Sequence, residues 1–148
     1  RMATGVGECV VIANGTDSNV LDKILAGDDV GTLFTANGPL IPAWKRWIGF
    51  TVKPNGTLRL DEGATRAVQH QGKSLLPIGV THVTGSFKRG ELVSLCNESG
   101  NEFARGLTNY DVSDMSQIAR RRTEEIDSIL GDVPYTEVIH RDNLCVLR

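Results

Sequence analysis

"SLLPIGVTHVTGSFKRGELVSL", residues 74–95, is the stretch whose reading decides the fold. Val80 to Ser86 and Glu91 to Cys96 read as two short strands, and Phe87-Lys88-Arg89-Gly90 turns the chain between them. Gly79 and Gly85 mark tight backbone positions, while Val80, Val83, Leu92, Val93 and Leu95 offer apolar side chains to a core. Nothing in the stretch is catalytic. It reads as the wall of a small β-rich domain.

The residues downstream extend that wall. "GTLRLD" (56–61) alternates as a strand does, and Asp61 can cap a helix over residues 62–71 that stops at Gly72. A turn at "NESGN" (97–101) leads into "EFARGLTNY" (102–110). Ser113 is expected to cap a helix carrying Met115 and Ile118. Thr123 is expected to cap another, with Ile126, Ile129 and Leu130 on one face before Gly131. "TEVIHRDNLCVL" (136–147) offers one or two closing strands. Several short strands, glycine turns and a few helices predict a small barrel or pseudobarrel.

Upstream the pattern changes. Gly38-Pro39, Pro42, Pro54 and Asn55-Gly56 punctuate residues 36–56, which read as a connector holding one strand or short helix at "AWKRWIGF" (43–50). Before it, Cys9 to Asn14 is a continuous apolar run that suits a strand buried on both faces, as in a parallel sheet. Asp17 or Ser18 can cap a helix whose stripe is Val20, Leu21, Ile24 and Leu25, with Gly27 as its stop, and "GTLF" (31–34) is a second strand. Such a β-α-β fragment has nothing to cover its other face, so the sequence reads as opening inside a larger α/β domain. The expected organisation is 1–35, a connector over 36–56, and a β-rich domain over 57–148.

Bulk properties set bounds. Hydrophobic residues make up 40% of the 148 and charged residues 23%, which is enough for a packed core and argues against disorder. The net charge of −2 means that any RNA role must rest on a local basic patch. Cys9, Cys96 and Cys145 form an odd, widely spaced set without metal-ligand spacing, which points to no zinc site, no disulfide framework and a reducing cytoplasm. No apolar run approaches the roughly 20 residues of a membrane helix. "RMATGVGECVV" (1–11) lacks the regions of a secretory signal, and the Asn14, Asn55 and Asn97 sequons read as turns.

Apparent chemical motifs mostly dissolve. Gly72-Lys73-Ser74 has Ala67 where a phosphate-binding loop needs glycine, and it follows a helix instead of opening one. "GVGECV" (5–10) lacks the third glycine of a dinucleotide fingerprint. His70, His82 and His140 are dispersed, and "HRD" (140–142) stands too near the end for a kinase catalytic loop. Asp61-Glu62 and Glu124-Glu125 occupy first helical turns, where the helix dipole favours negative charge. What remains is basic: Lys45-Arg46, Lys88-Arg89 and Arg120-Arg121-Arg122, with Lys73 and Arg105 nearby in sequence. No catalytic, cofactor-binding or metal residue is assigned.

Several segments together carry a resemblance: "LDEGA" (60–64), "GKSLLPIGV" (72–80), "VTGSFKRGELV" (83–93), "ARGLTNY" (104–110), "EIDSILG" (125–131) and "VIHRDNL" (138–144). In this order and spacing the sequence resembles the C-terminal part of the bacterial glutamate 5-kinase family. "IANG" (12–15), "GTLF" (31–34) and "KRWI" (45–48) resemble the end of that family's amino-acid-kinase domain and its connector. The resemblance implies a mixed α/β chain: a β-rich PUA-type pseudobarrel with short helices, preceded by a β-α-β remnant of an amino-acid-kinase domain. It implies a parent enzyme that uses Mg-ATP to phosphorylate glutamate in the first step of proline synthesis, with the catalytic motifs upstream of "IANG". The fragment alone is then expected to be inactive, with no cofactor bound, and to be a regulatory or assembly module. Its expected partners are the kinase domain and further copies of the parent enzyme. In RNA-modifying relatives with this domain, the helix and the loop after it approach RNA, which marks Arg66, Lys73 and Ser74 as candidate contacts; the basic cluster of Arg120, Arg121 and Arg122 adds three more. One departure stands out: Arg120 follows Ile118-Ala119 where the family tends to place glycine. Arginine favours helix, so the helix is expected to run on or to end only at Thr123.

Overall fold

The computed structural model describes residues 4, 7–36, 41–131 and 134–147. Gly38-Pro39 and Gly5-Val6 lie outside the described residues. The chain divides into two compact units, Arg1–Pro42 and Ala43–Arg148.

The first unit holds β1 (Val10–Ile12), α1 (Val20–Ala26) and β2 (Thr32–Phe34). Helix α1 ends as expected, with Gly27 left-handed at φ 84°. At its start Asp17 accepts from the Asn19 N–H at 3.1 Å and pairs with Lys23 at 2.7 Å, so it organises the turn before the helix without capping it. The parallel, doubly buried strand expected at Cys9–Asn14 does not form. β1 pairs directly with β2 in antiparallel register, Val10 opposite Phe34 and Ile12 opposite Thr32. The connection through α1 leaves and re-enters at the same end of the pair, which only an antiparallel partner permits. None of the helix is buried, and Ile12, Leu21, Leu25 and Leu33 are 60–86% exposed.

The second unit is built on a five-stranded sheet in the order β4-β3-β5-β6-β7. Its strands are β3 (Gly56–Leu60), β4 (Val80–Gly85), β5 (Leu92–Cys96), β6 (Glu102–Leu107) and β7 (Leu144–Val146). The two strands of the opening stretch do not pair with each other. They flank β3, β4 running antiparallel to it and β5 parallel. Thus Phe87 to Gly90 carries the chain past β3, and Phe87 is buried against it: a side chain on Gly56 would meet the Phe87 ring at 2.2 Å. Gly85, at φ 98°, passes its backbone so close to Gly56 that only glycine fits. A bridge between Leu75 and Ile139 joins the segment before β4 to the segment before β7, tying the two edges of the sheet into a pseudobarrel.

Leu58, Leu60, Val80, Val93, Leu95, Ala104 and Ile139 fill the interior, together with Val68, Met115, Ile118 and Ile126 from the helices α3 (Glu62–Gln71), α4 (Val112–Ile118) and α5 (Ile126–Leu130). Asp61 caps α3 by accepting from the Ala64 N–H at 2.7 Å, and Gly72 ends it left-handed. Two other cap expectations fail. Asp111, not Ser113, caps α4, accepting from the Asp114 N–H at 2.9 Å. A short 3-10 turn, Thr123–Glu125, precedes α5, and it is held by the Glu125 carboxylate accepting from the Arg122 N–H at 2.8 Å; Thr123 caps nothing. The helix before it does not run on to Thr123. It ends at Ile118, because Arg120 itself adopts the left-handed conformation at φ 66°.

"AWKRWIGF" forms helix α2 (Ala43–Arg46), which runs into a wider helical turn over Trp47–Thr51. This turn buries Ile48 against Leu92 and Cys145. All three cysteines are free, and burial raises the pKa of the Cys96 and Cys145 thiols.

Candidate functional site

A groove of about 350 Å³ lies beside α3 and the loop that follows it. Its geometry follows from the local sequence. The Asp61 cap fixes the start of α3, and the spacing of Ala64, Ala67 and Val68 turns one helical face to the groove. Left-handed Gly72 then reverses the chain, and the Lys73 N–H donates to Ala67 O at 3.2 Å, so the loop returns along the same face. Gly79 closes the far side, where a Cβ would meet Ala64 Cβ at 2.3 Å. Leu76 and Ile78 stand half-exposed at the rim. The lining is apolar apart from Asp61, Lys73 and Ser74.

The candidate contacts separate in space. Lys73 and Ser74 line the groove. Ser74 Oγ accepts from the Arg141 N–H at 3.0 Å, which pins the loop to the chain before β7. Arg66 is not part of the lining; it leans along the exposed face of α3 to Glu62 at 2.7 Å. The Arg120 N–H donates to Pro77 O at 3.0 Å, so its backbone braces the loop bearing Ile78 and Gly79. Arg121 and Arg122 turn instead to Glu125, Arg121 Nη1 at 3.8 Å and the Arg122 backbone through its N–H. The arginine triplet is thus divided between two tasks.

A polar cluster on the outer sheet face was not evident in the sequence. Arg105 Nε and Nη2 donate to the two carboxylate oxygens of Glu102 at 2.8 and 3.1 Å, and its Nη1 donates to Gly49 O at 3.0 Å. Ser94 Oγ donates to the same carboxylate. Hydrogen bonding from Arg105 lowers the Glu102 pKa against the opposing effect of burial. Residues three apart on a strand should face opposite ways. Here the register slips between Leu95 and Cys96, so Ala104 faces Leu95 and Glu102 faces Cys96, and the pair meets. Among the described residues no group of three or more His, Cys, Asp or Glu could hold a metal ion, and no helix is long and apolar enough to cross a membrane.

The family model described as PUA domain matches residues 56–130. The chain is 46% identical over 147 residues to a glutamate 5-kinase of Synechococcus sp. strain JA-2-3B'a(2-13), covering 99% of this chain and 40% of that protein. It is 46% identical over 148 residues to the glutamate 5-kinase of Rhodopirellula baltica, covering 100% of this chain and 38% of that protein. It therefore spans about two fifths of the length of these relatives. Among solved structures, a PUA domain from Aeropyrum pernix K1 aligns with 57% of this chain and 50% of its own, at 25% identity and a TM-score of 0.41.

Proposed function

The chain belongs to the PUA domain family, and from that premise we propose that it is the C-terminal part of a glutamate 5-kinase, the enzyme that phosphorylates the γ-carboxylate of glutamate with Mg-ATP. The observation that carries this reading is the agreement of independent relatives: glutamate 5-kinases from several bacterial lineages match 97–100% of the chain at 42–46% identity. In the cytoplasmic parent enzyme, this part acts as a regulatory or assembly module. The solvent-facing apolar residues of the first unit support that role, since Ile12, Leu21, Leu25 and Leu33 call for a covering domain.

The described residues do not fit Mg-ATP. Gly72-Lys73-Ser74 leaves the C-terminal end of a helix, where carbonyls and not N–H groups face outward. Among the described residues no group of three or more His, Cys, Asp or Glu is placed to hold the metal. The chain alone is therefore expected to give no ATP- and glutamate-dependent hydroxamate, whereas the full-length enzyme gives it readily; turnover by the chain alone would refute the reading. Removing residues 57–148 from the full-length enzyme is expected to change its metal dependence and its response to proline. An unchanged enzyme would leave this part without the regulatory role.

A second reading, RNA contact, rests on Lys73 and Ser74 sharing one groove. Fluorescence anisotropy against a structured RNA, at roughly 50 and 200 mM salt, tests it, because phosphate contacts weaken steeply over that range. Saturable, salt-sensitive binding that falls in Lys73→Ala but not in Arg66→Ala would support the groove. Absence of binding at the lower salt would remove this reading.

A further inference from the structure

A separate cavity of about 140 Å³ lies at the start of α4, lined by Arg89, Asp111, Asp114 and Tyr135 among others. The Arg89 guanidinium rests over the Tyr135 ring, 4.5 Å from its centroid. Tyr110 Oη donates to Tyr135 O, and Asn109 Nδ2 donates to Glu137 O at 3.0 Å, so the wall that carries the ring is tied to the barrel. Asp111 spends one carboxylate oxygen on capping α4. The Asp114 carboxylate and the Arg89 guanidinium have no hydrogen bond or ion pair with any of the described residues. They line one small space, yet they stand too far apart to pair with each other.

We propose that this cavity binds a small zwitterion of the α-amino acid type, its carboxylate on Arg89 and its ammonium on Asp114 with Asp111. Each simpler ligand is disfavoured. An anion alone would face two carboxylates, and a cation alone would face the guanidinium. An α-amino acid carries both charges one carbon apart, and the volume admits a small side chain beside Tyr135 and Pro134. Burial, with Asp111 nearby, raises the Asp114 pKa, so an incoming ammonium relieves a carboxylate that its surroundings disfavour. The site lies apart from the α3 groove and does not depend on the kinase reading.

The test is an amide NMR titration of the 148-residue chain with L-alanine, with propionate as the ligand lacking the ammonium and ethylamine as the ligand lacking the carboxylate. L-Alanine is expected to shift the amides of Arg89, Asn109 to Asp114 and Tyr135 with a saturable profile. The two partial ligands should leave them unmoved. Arg89→Gln and Asp114→Asn, each checked for retained amide dispersion, should weaken L-alanine at least tenfold. Equal binding of propionate would make this a plain anion site, and equal binding of ethylamine a plain cation site; either result overturns the proposal. So does the absence of any saturable shift with millimolar L-alanine.

Discussion

Arg120 carries more structural meaning than its place in a basic triplet suggests. Among the described residues it is the one non-glycine with positive φ, at 66°, and it sits directly after Ala119, the residue that follows α4. A left-handed L-residue costs on the order of 1 kcal/mol through the crowding of its Cβ, a penalty glycine escapes. The corner holds because the Arg120 N–H donates to Pro77 O and the Arg121 N–H donates to Ile118 O at 2.9 Å. Surrounding bonds outvote propensity here, and for that reason the extension of the helix expected from arginine does not occur. Arg120→Gly is expected to stabilise the chain by about 0.5–1 kcal/mol, the relief of strain exceeding the added entropy of the unfolded chain. Urea melts of the two proteins measure it. A destabilised glycine variant would mean that the Arg120 side chain holds the corner by a contact worth more than the strain.

At the level of elements, legibility followed the range of the interaction that fixes each one. Helix α3 was readable from end to end because Asp61 and Gly72 act within one turn of their own positions. The cap of α4 stands two residues before the Ser113 expected from sequence. Asp111 and Ser113 are both good caps in sequence, and Asp111 prevails where the Val112 N–H is held by Phe87 O at 3.1 Å. The division of β4 and β5 to either side of β3 was not legible, since pairing partners are chosen by the whole sheet. The Glu102–Arg105 pair was hidden by the register slip in β6. It makes its own pH prediction. The Glu102 pKa is lowered by folding, chiefly by the hydrogen bonds from Arg105. Its stabilisation is therefore present above the unfolded carboxylate value and is lost as pH falls through the folded one. Glu102→Gln should lower the melting temperature near neutral pH, and the difference from the parent chain should shrink on going to about pH 3. A difference independent of pH would assign the loss to packing and not to charge.

For the whole molecule, the decisive contrast is between a unit with a buried interior and a unit in which none of the described residues is fully buried. The second unit buries Leu58, Leu60, Leu95, Met115 and Ile139 completely. In the first, α1 has no buried residue. Apolar burial is the main stabilising term in folding, so cooperative unfolding should belong to the second unit. The α2 segment matters to where that unit begins. Ile48 is fully buried with Leu92 and Cys145, Lys45 Nζ donates to Arg141 O at 3.1 Å, and Arg105 holds Gly49 O. Removing residues 1–42 should then leave the thermal midpoint almost unchanged. Removing residues 1–56 strips Ile48 from its cluster, leaves Arg105 Nη1 without its carbonyl and opens Leu92 to water. Losing one fully buried isoleucine costs roughly 2 kcal/mol, which in a domain of this size lowers the midpoint by about 10 °C. Differential scanning calorimetry of the two shortened chains beside the parent separates the outcomes. Equal midpoints for 43–148 and 57–148 would show that the barrel closes without α2. A large drop on removing 1–42 alone would show that the first unit, for all its exposed apolar surface, already contributes to the stability of the second.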